Sequence, residues 1–301
     1  MGLKSLDDLL TISKDHPNKK LVVAAAEDEH VMLAIKQARE YGLIEPILIG
    51  DASKISEISK NIDFKVSGIE IIDEPVPEDA SFKAVEMIKN GEANILMKGL
   101  VSTGALLTAV LQKDSGLRKA EVLSHIALSE TPYYHKLLAV TDAAMNIAPN
   151  FNEKIAILRN AIELFHKLGT ELPKAGIIGA VEIVNPRMEA TTDAALLSVM
   201  NKRGQIKGCL VDGPLALDNA VSKDAAKLKN IEGAVAGDVD IIIAPEINAG
   251  NILYKSLNFL GGATAAAVIM GASVPVVLTS RADSQRSKLM SIAMATAMKE
   301  T

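Results

Sequence analysis

The 301-residue sequence predicts an α/β protein of two domains with mostly parallel sheets, and three observations carry that expectation. Short apolar runs rich in Val and Ile alternate with longer segments of helical period, the pattern of parallel strands joined by crossover helices. Hydrophobic residues make up 49% of the chain but aromatic ones only 3%, so Ala, Val, Ile, Leu and eleven Met must fill the core. Such side chains suit strands buried on both faces beneath helices. Third, ten strand candidates exceed the usual single sheet, and the length itself implies two domains.

Taken in order, the first ten residues, Met-Gly-Leu-Lys-Ser-Leu-Asp-Asp-Leu-Leu, read as an amphipathic helix without the apolar core of a signal peptide. Strands are expected at 21–25, 46–50, 69–72 and 94–97, with helices at 29–41, 79–90 and 104–112 between and after them. The runs 123–127 and 137–141 follow one another across the polar stretch 129–134 with no helix between, so they form an antiparallel pair or a crossing between sheets, and mark the boundary of the domains. Helices at 152–168, 188–202 and 222–230 then alternate with strands at 175–179, 207–211 and 240–244. The chain finishes with helices at 249–260 and, from its Ala-rich composition, 263–270, a strand at 274–278 and a helix at 285–299.

Composition excludes several functions. Thirty-two Lys and Arg against 37 Asp and Glu give a net charge of −5, which argues against a nucleic-acid binder or a polybasic membrane anchor. The lone Cys209, inside an apolar run, cannot form an intrachain disulfide and reads as a small buried hydrophobe in a reducing, cytoplasmic setting. No G-x-G-x-x-G turn occurs, and the two glycines of Gly99-Leu-Val-Ser-Thr-Gly104 are followed by Ala-Leu where a P-loop needs Lys-Ser/Thr. His16, His30, His125, His135 and His166 show no zinc spacing, and no nucleophile elbow is present. His125 reads as a hydrogen-bonded residue at a sheet edge. The carboxylates of Glu27-Asp-Glu29, Asp73-Glu74 and Glu78-Asp79 read as helix caps and solvated faces.

Ligands of open α/β sheets bind beyond the carboxyl ends of the strands, and four post-strand loops there combine glycine with hydroxyl, amide or cationic groups. In the first, Ser102 and Thr103 open a helix beside Lys98, which reads equally as a plain N-cap or as an anion cradle. In the second, Asp212-Gly-Pro either bonds its own backbone or projects into a cleft. The third carries Asn248, Asn251 and Lys255 into a helix, followed by Gly261 and Gly262. The fourth holds Ser280, Arg281, Asp283 and Arg286, two of the chain's seven arginines, whose planar fork of donors matches phosphate oxygens.

In this order the blocks Lys98-Gly-Leu-Val-Ser-Thr-Gly104, Asp212-Gly-Pro-Leu-Ala-Leu-Asp218, Asn248-Ala-Gly-Asn-Ile-Leu-Tyr-Lys255, Gly261-Gly262-Ala and Thr279-Ser-Arg-Ala-Asp-Ser284 resemble those of the phosphate acetyl- and butyryltransferase family, over nearly the whole chain. The length, Ser-Arg-Ala-Asp-Ser and Glu182-Ile-Val-Asn-Pro-Arg187 resemble its butyryl branch. The resemblance implies two α/β/α domains of the isocitrate and isopropylmalate dehydrogenase type with an active cleft between them, residues 1–130 plus 264–301 forming one and 131–263 the other. It implies reversible transfer of a short acyl group, butyryl preferred, between coenzyme A and inorganic phosphate, in a homodimer or larger homo-oligomer. Coenzyme A and phosphate are then substrates, and no cofactor or metal is needed.

By the same resemblance Ser280 orients the thiol and Arg281 binds phosphate. Acetyltransferases place an aspartate base seven residues after that serine, where this chain has Ser287, so Asp283 is the base expected here and Asp212 the second choice. Thr108 stands where they carry an arginine, which leaves Lys98 or Arg286 to help hold phosphate. Lys98, Ser102, Thr103, Asp212, Asn248, Asn251, Lys255, Gly262 and Arg286 form the expected binding set. Three alternatives compete: acetyl in place of butyryl transfer, a metal- and NAD-dependent dehydrogenase on the related fold, and a non-catalytic coenzyme A binder. The dehydrogenase needs aspartates at D-x-x-x-D spacing, which the chain lacks.

Overall fold

The computed structural model describes residues 3–15, 19–112, 117–280 and 282–299. They form two compact units, a terminal one built from Leu6–Ala120 and Ala266–Lys299 and a central one from Glu121–Ala265, to which residues 3–5 also belong.

The terminal unit contains α1 (Asp7–Ser13), β1 (Lys19–Ala24), α2 (Glu29–Glu40), β2 (Ile44–Gly50), α3 (Ala52–Asn61), β3 (Glu70–Asp73), α4 (Pro77–Lys89), β4 (Ile95–Lys98) and α5 (Thr103–Leu111). The chain returns to it with β10 (Thr264–Met270), β11 (Val276–Val277) and α11 (Gln285–Ala297). Strands β3, β2, β1, β4 and β11 lie side by side, all parallel, and β10 pairs antiparallel with β11. Leu21, Val22, Val23 and Ala24 of β1 are wholly buried, as an apolar run covered on both faces requires. Asp28 and Asp51 cap α2 and α3 by accepting from Val31 N and Lys54 N. Helix α11 is buried from Ser287 to Ala297 and is pinned to α1 through Ser13 Oγ, which donates to Ala293 O at 2.9 Å and accepts from Thr296 Oγ1 at 2.8 Å.

Three local expectations change in this unit. Residues 263–270 are not helical: Thr264–Met270 is strand β10, with every position after Thr264 buried. Ala has high helix propensity, but a run buried on every face has no helical stripe, and sheet pairing decides. Helix α3 escaped notice because only Ile55 and Ser59 of its ten residues are buried. Glu27 is no solvated cap residue either. It is 8% exposed, and its Oε2 is buried without a hydrogen-bond partner among the described residues. The space it fills exists because residue 50 is glycine: a Cβ there would stand 2.0 Å from Glu27 Oε2.

The central unit contains β5 (Ser124–Glu130), β6 (Leu138–Thr141), α6 (Phe151–Lys167), β7 (Lys174–Ile178), α7 (Glu189–Lys202), β8 (Leu210–Leu215), α8 (Leu217–Val221), α9 (Lys223–Leu228), β9 (Ile241–Ile243) and α10 (Ile247–Phe259). Its strand order is β5-β6-β9-β7-β8. The β5–β6 pair is antiparallel, which settles the reading of two consecutive strands without a helix, and β6, β9, β7 and β8 are parallel. That pairing puts β5 in the same compact unit as β6, so the division of the chain falls before Glu121. His125, on β5, packs its ring edge-on against Tyr254 of α10, with centroids 5.9 Å apart.

At the amino ends of β7 and β9 a polar cluster replaces the apolar core. Lys174 Nζ donates to Asp238 Oδ2, Lys136 Nζ lies 2.7 Å from Asp240 Oδ1 and 3.2 Å from Asp238 Oδ1, and His135 Nε2 lies 2.8 Å from the same oxygen. Burial alone would raise the Asp238 pKa, but hydrogen bonds from Lys174, His135 and Lys136 outweigh it and hold the carboxyl well below the usual carboxylate range. A lowered folded pKa stabilises the fold above the ordinary value near 4 and loses that contribution as the pH falls through the folded value. Asp238→Asn is therefore expected to cost about 2 kcal/mol at neutral pH. Denaturant titrations should show the gap from the native protein shrinking by pH 3; an equal gap at both pH values contradicts this.

No helix of the described residues is long and apolar enough to cross a membrane. Cys209 is buried, and burial pushes its thiol pKa up to about 11, in keeping with an inert packing residue.

Candidate functional site

The terminal unit gathers expected site residues at the carboxyl ends of two adjacent parallel strands, while those of the central unit lie within β8 and after β9. In the terminal unit, β4 and β11 run parallel with Leu96 opposite Val276 and Met97 opposite Val277. The loops after them, 98–102 and 278–284, therefore leave the sheet side by side. The first crosses so close to β1 that a Cβ at Gly99 would lie 2.0 Å from Ala25 O, while Gly99 N and Leu100 N donate to Ala24 O and Ala25 O. Only glycine permits that approach. Lys98 is 7% exposed and curls back on this loop, its Nζ donating to Gly99 O at 3.0 Å and Val101 O at 3.1 Å. Ser102 caps α5 by accepting from Ala105 N at 3.1 Å, and the half-buried Thr103 is the first helical residue. The cap is real, and it also leaves an exposed hydroxyl at the positive end of a nine-residue helix.

The second loop is a closed turn. Ser280 N donates to Asp283 Oδ2 at 2.6 Å, Asp283 N to Ser280 O at 3.2 Å and Ala282 N to Ser280 Oγ at 3.3 Å. The exposed hydroxyl and the half-buried carboxylate are thus locked into one unit by their own backbone. Ser284 then caps α11, accepting from Ser287 N. Ser287, at the position of the acetyltransferase aspartate, is buried and bonded to Ser284 Oγ. Lys288 reaches back beneath the turn, with Nζ 3.1 Å from Ser280 O and 2.7 Å from Asp283 O. Arg281 lies outside the described residues. Arg286 turns to α1 and forms a surface ion pair with Asp7, 2.9 Å apart.

In the central unit the post-β9 segment is organised by Glu246, which caps α10 by accepting from Ala249 N and Asn248 N, both at 2.8 Å. The Asn248 and Ala249 amides and the Asn248 side chain hold its carboxyl below the usual range against a smaller opposing effect of burial. Asn248 Nδ2 donates back to Glu246 Oε2, and Asn251 Nδ2 donates to Ala143 O at 2.8 Å. Asn248, Asn251 and the exposed Lys255 follow i, i+3, i+7 spacing and so share one stripe of α10. Gly262 ends the α10 segment at φ +63°, a left-handed position natural to glycine, and leads into a strand rather than a helix. Asp212 lies within β8, and its Oδ1 accepts from Gly213 N at 2.9 Å. Of its two readings, this bonds its own backbone.

Two groups escaped sequence reasoning. Asp142, 3% exposed at the end of β6, accepts from the amides of His125, Ala144, Met145 and Asn146 and from Asn146 Nδ2. Helix α10 presses on the same loop, for a Cβ at Gly250 would stand 2.1 Å from Asp142 O. Beyond β7 and β8, Lys229 Nζ bridges Glu182 at 3.0 Å and Asp218 at 3.1 Å, and Asn219 Nδ2 also donates to Glu182. A polar residue directly after an apolar strand was the available signal for Asp142. The pairing of Lys229 spans 47 residues and left none.

Hydroxyls and backbone amides set at strand ends and helix starts are the groups with which α/β proteins commonly hold anions. The chain belongs to the phosphate acetyl/butaryl transferase family, whose model matches residues 6–78 and 73–296, and it is an acyltransferase. It is 50% identical over 290 residues to a probable phosphate butyryltransferase of Bacillus subtilis, covering 96% of each chain. Over 292 residues it is 45% identical to a phosphate butyryltransferase of Clostridium beijerinckii, covering 97% of each. Among solved structures, a branched-chain phosphotransacylase from Enterococcus faecalis V583 superposes with a TM-score of 0.83 at 32% identity, over 93% of this chain and 98% of that one.

Proposed function

We propose that this protein is a phosphate butyryltransferase, catalysing butyryl-CoA + phosphate ⇌ butyryl phosphate + CoA. The observation that carries the reading is the Ser280–Asp283 turn beside the Ser102 helix start, on adjacent strands of one sheet, in a chain half identical to a probable phosphate butyryltransferase. In the direction of thioester formation, the Asp283 carboxylate takes the thiol proton of CoA and Ser280 Oγ orients the sulfur. The thiolate attacks the carbonyl carbon of butyryl phosphate, the C–O bond to phosphate breaks and phosphate departs with the bonding pair. Arg281, Lys98 and the amides at the start of α5 stabilise that departing charge and the oxyanion that precedes it. In the central unit Asn248, Asn251, Lys255 and Gly262 serve binding of the substrates.

The assignment is tested by following free thiol release from a panel of acetyl-, propionyl-, butyryl- and branched-chain acyl-CoA with and without phosphate. Phosphate-dependent release, fastest with butyryl-CoA and unchanged after chelation of divalent metals, is expected. Fastest release with acetyl-CoA converts the assignment to an acetyltransferase, and binding of CoA without release with any acyl chain overturns it in favour of a carrier. We further propose a cytoplasmic homo-oligomer, for which light scattering should give a mass of at least two chains.

A further inference from the structure

Lys288 is 2% exposed, and among the described residues no carboxylate lies within ion-pair distance of its ammonium group. An ion-paired lysine elsewhere in the fold shows the contrast: Lys154, also buried, sits 2.6 Å from the Asp193 carboxylate. Taking an ammonium out of water is unfavourable unless a charge or strong acceptors compensate. For Lys288 the acceptors are two backbone carbonyls, those of Ser280 and Asp283. Burial accordingly pulls the lysine's pKa below its ordinary value, with Asp283 and Asp28 acting in the opposite sense at longer range.

The two carbonyls that hold Lys288 belong to the first and last residues of the turn that presents Ser280 Oγ and the Asp283 carboxylate. The lysine is anchored in α11, a helix buried along its length and pinned to α1. A rigid element thus grips both ends of an exposed turn through one cation, where an exposed loop would otherwise be free to reshape. A hydrophobic side chain of the same length would fill the space without the desolvation cost, so packing does not account for a charge here.

We propose that Lys288 is the positioning residue of the Ser280–Asp283 turn: its buried ammonium group fixes the turn by holding the Ser280 and Asp283 carbonyls and sets a positive charge beneath the point where the anionic substrate is handled. The catalytic part of this inference rests on the acyl-transfer reading; the structural part does not. Lys288 touches neither thiol nor phosphate in this role and acts through the residues it aligns.

The test compares Lys288→Met and Lys288→Arg with the native enzyme in two measurements. Hydrogen exchange reads the turn itself: the Ser280 and Asp283 amides, both donors within it, should exchange at least about tenfold faster in K288M while the amides of α11 keep their protection. Steady-state kinetics reads the consequence: kcat for phosphate-dependent thiol release should fall on the order of 100-fold with KM for CoA nearly unchanged, and K288R, whose guanidinium can donate to both carbonyls, should recover at least tenfold of that loss. Native exchange at Ser280 and Asp283 in a folded K288M overturns the proposal, as does equal impairment of a folded K288R. If K288M does not fold, Lys288→Gln, which keeps a donor for one carbonyl, is read in the same way. If the native protein releases no thiol, the acyl-transfer reading fails while the exchange measurement still decides the role of Lys288.

Discussion

Replacing Asp283 by asparagine is expected to lower kcat by about 10²–10⁴-fold, the usual contribution of a positioned general base. The substitution is close to isosteric. The amide oxygen of the introduced side chain still accepts from Ser280 N, which in the native protein donates to Asp283 Oδ2 at 2.6 Å, so the turn and the serine keep their places. What disappears is the capacity to take the thiol proton. KM for CoA should therefore stay within a few-fold of its native value, the signature of an interaction used only in the transition state. Ser287, at the position of the acetyltransferase base, is buried in a hydroxyl pair with Ser284 and offers no carboxylate to substitute. Native kinetics in D283N would contradict the assignment of Asp283 as the base.

Removal of the Asp142 carboxylate should produce the largest loss of stability. Its two oxygens accept from four backbone amides and one side-chain amide, and among the described residues no cation shares them. Asp142→Ala leaves these donors facing a buried void, and the cost is about 3–5 kcal/mol because unpaired buried polar groups lose their full desolvation energy. That corresponds to a fall in Tm of roughly 10 °C, measurable by circular dichroism. Asp142→Asn, which keeps one accepting oxygen, should fall between. The damage extends to α10, since Asn251 bonds to Ala143 O within the same loop and Gly250 packs against Asp142 O. A Tm for D142A within about 2 °C of native contradicts this account.

The elements that were legible in the sequence are those whose local pattern and tertiary burial agree. Val22, Val23, Ile241, Ile242 and Ile243 read as buried parallel strands because β1 and β9 have partners on both sides and no polar face to display. The family resemblance held: the family model matches residues 6–78 and 73–296, which include all of the post-strand loops that carry it. Where pattern and environment part company, the sequence misled. Thr264–Met270 has helix-forming composition but a strand's neighbours, and Glu27, in a run of acidic residues that reads as solvent-facing, is buried where Gly50 clears a space. Arg286 belongs to an arginine-rich loop, yet its guanidinium reaches Asp7 on a helix 279 residues away in sequence. Lys288 looks like any other charged residue in the chain, and Asp142 is marked only by following an apolar strand. Their importance lies in what surrounds them, and no periodicity records that.

Transfer of a butyryl group between CoA and phosphate can be watched by ³¹P NMR of the purified protein mixed with butyryl-CoA and inorganic phosphate. An acyl phosphate resonance should grow in step with free thiol and at the expense of the phosphate signal, and added CoA should reverse it. Thiol release without an acyl phosphate, or at a rate indifferent to phosphate, would contradict this transfer.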